Sequence, residues 1–348
     1  MKYANIKNYF AAANGYDGFR SYFDKTFSSE KFERIFVLKG GPGTGKSSLM
    51  KSLAVKAEED DLCVDRIYCS SDPHSLDGII IQGSDKKVAF LDGTAPHERD
   101  AVIPGAIDSI ISLGENWDER WLSAKKDKIL ELSALKSKAY KTAYHYLNIC
   151  GVCSKRIAPF TKIENTDKII DFLIKSKAES TKNKDATILE NKLLYSFGRY
   201  GRYFLSPKDE LKCKHFSPDC DYFSAIEIIN ATASSLRSLG VKICPFPDPL
   251  NPCVADSVYL PQYNILLTVS GGEKLPDASF KIINTADEES LRVTKKIYAD
   301  SLNEAERWFS IASDIHFRLE EIYSSSMDFS KNDVVIAEKY SDILSILS

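Results

Sequence analysis

Apolar residues in the first hundred positions fall into short continuous runs separated by turns. Residues 35–38 form one run, which is followed by a glycine-rich turn and a helix-forming segment. Further apolar segments lie at 64–69 and 88–92. Uninterrupted apolar runs are typical of strands buried on both faces, and their alternation with helical segments predicts an α/β fold with a mainly parallel sheet. The run at 79–81 is close enough to the run after it to pair with it as a hairpin.

The pattern becomes helical after residue 117. Apolar residues recur there at spacings of three, four or seven until about residue 149, with lysine and glutamate between them. A second helical stretch covers residues 166–180. We expect the two stretches to form a helical hairpin inserted at about 118–180.

A polar segment at 180–187 predicts a boundary between a first module, 1–185, and a second module, 186–348. The second module repeats features of the first in the same order. The Asp-Pro pair at 72–73 recurs at 248–249. Helices are predicted at the end of the second module, as they are in the first. We interpret this order as an ancient duplication.

A phosphate-binding motif follows the first apolar run. Gly40, Gly45, Lys46 and Ser47 match the pattern G-x-x-x-x-G-K-[ST], in which glycines let backbone N–H groups surround a phosphate at a helix N-terminus. Lysine reaches the β- and γ-phosphates there, and the hydroxyl can bind Mg²⁺. The predicted nucleotide-binding residues are Gly41, Pro42, Gly43, Thr44, Gly45, Lys46, Ser47 and Ser48.

The corresponding segment of the second module, HFSPDCDYFSAIEII at 215–229, has no such motif. It contains neither the lysine nor the glycines that a phosphate nest requires. We therefore expect the second module to be degenerate and to cover the first rather than to bind a nucleotide.

Asp92 ends an apolar strand, where ligands bind in parallel sheets. It is the natural acidic partner of the loop, and we predict that Asp92 and Ser47 hold Mg²⁺. His97 and Glu98 follow closely and are candidates to orient or deprotonate the nucleophile. The predicted catalytic residues are Lys46, Asp92, His97 and Glu98.

Other charged residues are weaker candidates. Asp72 also follows a strand, but its survival as Asp248 in the degenerate module indicates a partly structural role. A charge-neutralising side chain on the γ-phosphate is a further requirement of this chemistry. The candidates for this role are Arg99, Arg199 and Arg202. His74 and Asp77 are weak candidates with no assigned role.

Composition and charge indicate which partners and which cellular location to expect. The net charge of −3 and the pI near 6.0 do not indicate nucleic acid as a partner. No apolar run is long enough to cross a membrane and the N-terminal segment lacks an apolar signal core, so we expect a cytoplasmic protein without a membrane partner. Among eight cysteines, Cys150 and Cys153 form a C-x-x-C pair, which we interpret as reduced thiols.

The chain resembles a family of bacterial P-loop ATPase-like proteins with two tandem P-loop modules. The resemblance lies in KGGPGTGKSSLMK at 39–51, CSSDPHSLDG at 69–78, LDGTAPH at 91–97 and PGAIDSIISLGENWDE at 104–119. It implies an α/β fold of the P-loop NTPase type, a three-layer parallel sheet that is duplicated, with appended helical hairpins. It also implies binding of ATP with Mg²⁺ and hydrolysis. The degenerate second module departs from this pattern.

Three functions remain open from the sequence. The first is a Mg²⁺-dependent ATPase; ATP is favoured over GTP because no N-K-x-D run follows a strand. The second is a small-molecule kinase in which the hairpin at 118–180 acts as a lid. The third is a non-enzymatic switch in which ATP changes the affinity for a protein partner that binds the helical hairpins.

Overall fold

The computed structural model describes residues 6–177, 192–284 and 288–348. The predicted module boundary at 185/186 lies outside these residues. The elements of the first part are β1 (Asn8–Phe10), β2 (Ala12–Gly15), β3 (Gly18–Ser21), α1 (Phe23–Thr26), β4 (Arg34–Lys39), α2 (Lys46–Glu59), β5 (Cys63–Tyr68), β6 (Leu76–Gln82), β7 (Lys87–Asp92), β8 (Asp108–Ser112), α3 (Glu119–Ala124), α4 (Lys126–Ile157), β9 (Thr161–Glu164) and α5 (Thr166–Lys175).

The second part continues the same succession of elements. They are β10 (Tyr195–Gly198), β11 (Gly201–Phe204), α6 (Lys208–Leu211), β12 (Lys214–Ser217), α7 (Tyr222–Ser238), β13 (Cys244–Pro247), β14 (Ala255–Leu260), β15 (Ile265–Thr268), β16 (Glu273–Lys274), β17 (Lys281–Asn284), α8 (Glu288–Ser324) and α9 (Phe329–Leu347). Short 3₁₀ helices lie at Ser29–Lys31, Leu113–Asn116, Ala158–Phe160 and Asp277–Ser279.

Two mixed sheets form the centre of this α/β fold. The first has the order β1-β5-β6-β7-β4-β8; β5/β6 and β6/β7 are antiparallel, and the other pairs are parallel. The predicted hairpin is confirmed, because β6 pairs with β7 in a register that places Ile80 opposite Ala89. The sheet is mixed rather than wholly parallel: three of its five pairs are parallel, and the short links that join β5, β6 and β7 permit only antiparallel neighbours.

The second sheet has the order β13-β14-β15-β12-β16. Its pairs β13/β14 and β14/β15 are antiparallel, whereas β15/β12 and β12/β16 are parallel. The first sheet has the same succession of two antiparallel and two parallel pairs in the strand order β5-β6-β7-β4-β8. The aromatic segments that precede the two sheets also form equivalent antiparallel hairpins, β2–β3 and β10–β11.

The long helices that pack on each sheet lie on one of its faces, whereas the one-turn helices α1 and α6 contribute to the cluster between the two sheets. In β4, Phe36 and Leu38 face a cluster with α2 and α9, whereas Ile35 and Val37 enter a cluster that also holds Tyr259 of the second sheet. The outer face of the second sheet packs on α5 and α7. The layer order is therefore helix, sheet, sheet, helix, and the expected three-layer arrangement is wrong. Alternating side chains on both faces are apolar, so the sequence does not tell which face meets a helix.

The long helices connect the two parts. α4 packs antiparallel along α8, with Lys136 beside His316 near one end and Cys150 beside Tyr298 further along. α5 packs on α7, and α9 packs on α2. Strand β9 pairs with β17.

The predicted hairpin at 118–180 is therefore wrong. With 32 residues, α4 spans about 48 Å and carries the chain to the second sheet before α5 begins. Among the described residues, no helix combines the length and the hydropathy that crossing a bilayer requires.

Candidate phosphate-binding site

The glycine-rich loop joins β4 to α2 as predicted. Gly43 and Gly45 have φ angles of +71° and +85°, which residues with a Cβ atom adopt only with strain. Gly45 is the N-cap of α2 and supplies no side-chain hydrogen bond. The first N–H groups of a helix have no partner within the helix, so the start of α2 offers donors and positive partial charge to an anion.

Lys46 is the first residue of α2, and its ammonium group lies against the loop. Its Nζ donates to the carbonyl oxygens of Gly40 at 2.9 Å and Gly41 at 3.0 Å. The same nitrogen is 3.6 Å from Oδ2 of Asp92. The loop and the end of β7 therefore meet at this lysine.

Asp92 and Ser47 both line the cleft that contains Lys46. Thr94 donates to Oδ1 of Asp92 from its amide at 2.8 Å and from its hydroxyl at 2.6 Å. Burial raises the pKa of the Asp92 carboxyl, although Lys46 and Thr94 act in the opposite direction. The Ser47 Oγ accepts a hydrogen bond from the Leu76 amide at 2.9 Å and keeps a further lone pair.

A carboxylate and a hydroxyl are ligand types that Mg²⁺ accepts, and this ion commonly takes only one or two protein ligands. Within 6–177, 192–284 and 288–348, no group of three or more His, Cys, Asp or Glu side chains is arranged to hold a metal by itself.

A cleft of about 1180 Å³ opens beside the loop. One wall consists of the glycine-rich loop, the start of α2, the residues after β5 and the turn after β7; the other consists of α4 and α8. The cleft is not uniformly basic. Its lining lysines are Lys46, Lys51, Lys136 and Lys141, and its lining carboxylates are Asp72, Asp77, Asp92, Glu320 and Glu321. An anion must therefore be held by particular side chains rather than by a general positive field.

His97 lies in the wall of the cleft and is only 7% exposed. Its Nε2 is 3.0 Å from Oδ2 of Asp77, and its ring stacks on Phe23 with centroids 4.2 Å apart. The Nδ1 atom is shielded from solvent and has no hydrogen-bond partner in the described part of the chain. This geometry suits a residue that positions the turn after β7 better than one that contacts a reacting water.

The other candidate residues divide into those that line the cleft and those that do not. Glu98 is exposed and lies outside the cleft lining. Arg99 is buried 3.4 Å from Asp108, and Arg199 donates to Ser313 at 2.8 Å. Arg202 binds Asp248 and Asp256, far along the chain from the loop. Of the weaker candidates, Asp72, His74 and Asp77 line the cleft, whereas none of these three arginines does.

The second part of the chain covers the glycine-rich loop. A Cβ atom on Gly43 would lie 2.4 Å from the carbonyl oxygen of Glu320 in α8. The buried Asn332 of α9 donates to the carbonyl of Thr44 at 3.0 Å and accepts from Asn116 at 2.9 Å. Helices α8 and α9 therefore help to hold the conformation of the loop.

Sequence reasoning missed the contribution of the helical wall. The lining residues there include Lys136, Tyr140, Lys141, Tyr144, His316 and Glu320. Positions 136, 140 and 144 are one turn apart on α4. This spacing of polar and aromatic residues indicates in the sequence that they share one face of the helix. It does not identify the loop as the neighbour, because α4 meets the loop only in the folded chain.

The cysteine pair does not belong to the cleft lining. Cys150 and Cys153 lie one turn apart in α4 with free thiols. Burial raises the pKa of Cys150 to about 12, and that of Cys153 is also raised. Both are therefore protonated, weakly nucleophilic thiols near neutral pH.

No family model matches the chain, and no curated protein or solved structure is similar to it.

Proposed function

We propose that the chain binds ATP with Mg²⁺ in the cleft beside the glycine-rich loop and hydrolyses it to ADP and phosphate. The proposal depends on one observation: the loop, Lys46 and Asp92 converge at one end of a large cleft. A strand, a loop with positive-φ glycines and a helix in this order form the context that the motif requires.

The residues of the chain have separate tasks in this reaction. The N–H groups at the start of α2 and the Lys46 ammonium bind the β- and γ-phosphates. Ser47 and Asp92 would hold Mg²⁺, which neutralises charge on the phosphate oxygens when it is bound. Thr94 fixes the Asp92 carboxylate, and Asp77 fixes His97 in the turn behind it. Phosphoryl transfer needs mainly such positioning and charge stabilisation.

The second part of the chain is, in this proposal, a degenerate copy of the first, within a P-loop NTPase fold. The matching strand orders and pairing directions of the two sheets support a duplication, as do the two equivalent hairpins. The copy has kept its architecture and serves to hold the intact loop.

The volume of the cleft favours phosphotransfer to a small molecule as a second candidate. At about 1180 Å³ it exceeds the roughly 300–1,000 Å³ of most small-molecule sites, which leaves room for an acceptor beside a nucleotide. Product analysis separates the two reactions. Hydrolysis yields ADP and inorganic phosphate in equal amounts, whereas transfer yields ADP without free phosphate when a metabolite extract is present.

Calorimetry with the Lys46→Ala variant tests the binding site. We expect at least about a 100-fold loss of Mg-ATP affinity, because the ammonium makes charge-assisted hydrogen bonds to phosphate. Lys56→Ala is a matched control, since Lys56 is an exposed lysine on the same helix outside the cleft lining. Unchanged affinity in Lys46→Ala would contradict the proposal, as would an equal loss in both variants.

A further inference from the structure

A triphosphate bound at the loop requires positive charge on its far side as well. Lys46 and the start of α2 lie on the loop side of the cleft. None of the three arginines considered for the γ-phosphate lines the cleft, although Arg199 donates to Ser313, which does line it. The opposite wall carries Lys136 on α4, which lines the same cleft.

The surroundings of Lys136 hold its ammonium in a defined place. Its Nζ is 3.5 Å from Nδ1 of His316, and the His316 Nε2 is 3.5 Å from Oε1 of Glu320, one turn further along α8. With the imidazole proton on Nε2, the nitrogen that faces Glu320, Nδ1 of His316 can accept a hydrogen bond from the Lys136 ammonium. His316 is therefore suited to position the lysine.

The charge on Lys136 is poorly compensated by the protein. Burial lowers the pKa of its ammonium, and the charge on Lys46 acts in the same direction, whereas Glu320 opposes both. Two like charges that sense each other across a cleft are stabilised when an anion lies between them. The terminal phosphate of a nucleotide held by Lys46 is an anion of suitable charge.

We propose that Lys136, positioned by His316, contacts the terminal phosphate of the bound triphosphate from the helical wall of the cleft. This inference rests on the proposed function and adds a selectivity to it. The loop side contacts the β-phosphate, which a diphosphate also has, as well as the γ-phosphate, whereas Lys136 contacts the γ-phosphate alone and therefore adds to the preference for a triphosphate.

The position of α8 extends the consequence to the helices. The helix that carries His316 also approaches Gly43 through the backbone of Glu320. A triphosphate would therefore join the loop, α4 and α8 through one ligand, and a diphosphate would leave the α4 contact unmade.

The experiment compares the affinities for Mg-ATP and Mg-ADP in the Lys136→Met variant by calorimetry. Methionine keeps an unbranched side chain of similar length and removes the charge. We expect at least about a tenfold loss for ATP and less than about a twofold loss for ADP, because only ATP carries the contacted phosphate. Lys136→Arg should restore most of the ATP affinity.

Lys138→Met is the matched control, since Lys138 is an exposed lysine of the same helix that does not line the cleft. It should leave both affinities unchanged. Thermal unfolding of each variant shows whether it is folded. An unchanged ratio of ATP to ADP affinity in Lys136→Met would overturn this inference alone. Failure of the unsubstituted protein to bind either nucleotide would overturn the proposed function and this inference together.

Discussion

The two helices that follow corresponding strands, α2 after β4 and α7 after β12, begin in opposite ways. At α2 the N-cap is Gly45, which supplies no side-chain acceptor. At α7 the N-cap is Asp221, whose carboxylate accepts from the amides of Phe223 at 3.1 Å and Ser224 at 3.4 Å. A carboxylate of the protein therefore caps the start of α7, whereas the first N–H groups of α2 receive no side-chain acceptor from the N-cap residue.

The aspartates near these helices show the same contrast. Asp72 lines the cleft, whereas its counterpart Asp248 is fully buried and accepts from Arg202 and, at 2.6 Å, from the hydroxyl of Tyr222. Arg202 also lies 3.0 Å from the fully buried Asp256. One guanidinium therefore binds two carboxyl groups that cannot reach water, and burial raises the pKa of the Asp256 carboxyl well above its usual value.

The largest expected effect comes from removing this internal cation. Arg202→Met leaves two buried carboxylates without their charge partner, and we expect the free energy of unfolding to fall by about 3–5 kcal/mol. Urea unfolding measures the loss. Arg292→Met should leave stability almost unchanged, because Arg292 is an exposed surface ion-pair partner. Equal small effects in both variants would show that the contacts of Arg202 with Asp248 and Asp256 do not stabilise the fold.

An intermediate effect is expected where the second part supports the loop. Asn332→Ala leaves the carbonyl of Thr44 without its donor, so we expect a loss of about 1–3 kcal/mol in stability and a weaker affinity for ATP. Asn116→Ala, which removes only the contact to Asn332, should have the smaller effect on ATP affinity. Urea unfolding and calorimetry measure the two quantities. Full ATP affinity in Asn332→Ala would show that the loop keeps its conformation without α9.

The smallest effect sharpens the contrast between the helix starts. Asp221→Ala removes the N-cap of α7, and we expect a loss of about 1 kcal/mol in stability with no change in ATP affinity. Asp219→Ala is the control, since its exposed ion pair with Lys274 caps no helix. Differential denaturant unfolding of the two variants provides the measurement. Appreciable weakening of ATP binding in Asp221→Ala would mean that the start of α7 takes part in nucleotide binding.

Features that depend on neighbouring residues were predictable from the sequence. The loop at Gly43 and Gly45 follows from glycine at positions of positive φ, and Asp92 was placed at a strand end by the apolar run before it. The pairing of β6 with β7 follows from their short link. The role of Glu98 remained a hypothesis because exposure depends on how the turn after β7 is folded.

Features that depend on distant segments were not predictable in this way. The apolar stripe of α5 shows that it packs on something, but not that its partner is α7 rather than α4. Lys136 was one lysine among many on a helix, and only its position opposite Lys46 distinguishes it. The apolar faces of the two sheets likewise do not show that both enter one core.

The sequence by itself determined the glycine-rich loop, the acidic strand end and the absence of a G-x-x-x-x-G-K-[ST] pattern from residues 186–348, because each depends on the identity and spacing of a few adjacent residues. The tertiary structure decided which helices form the far wall of the cleft, which arginines are engaged by buried carboxylates and which side chains hold the loop. Those outcomes depend on burial and on contacts between residues up to 288 positions apart, as between Thr44 and Asn332.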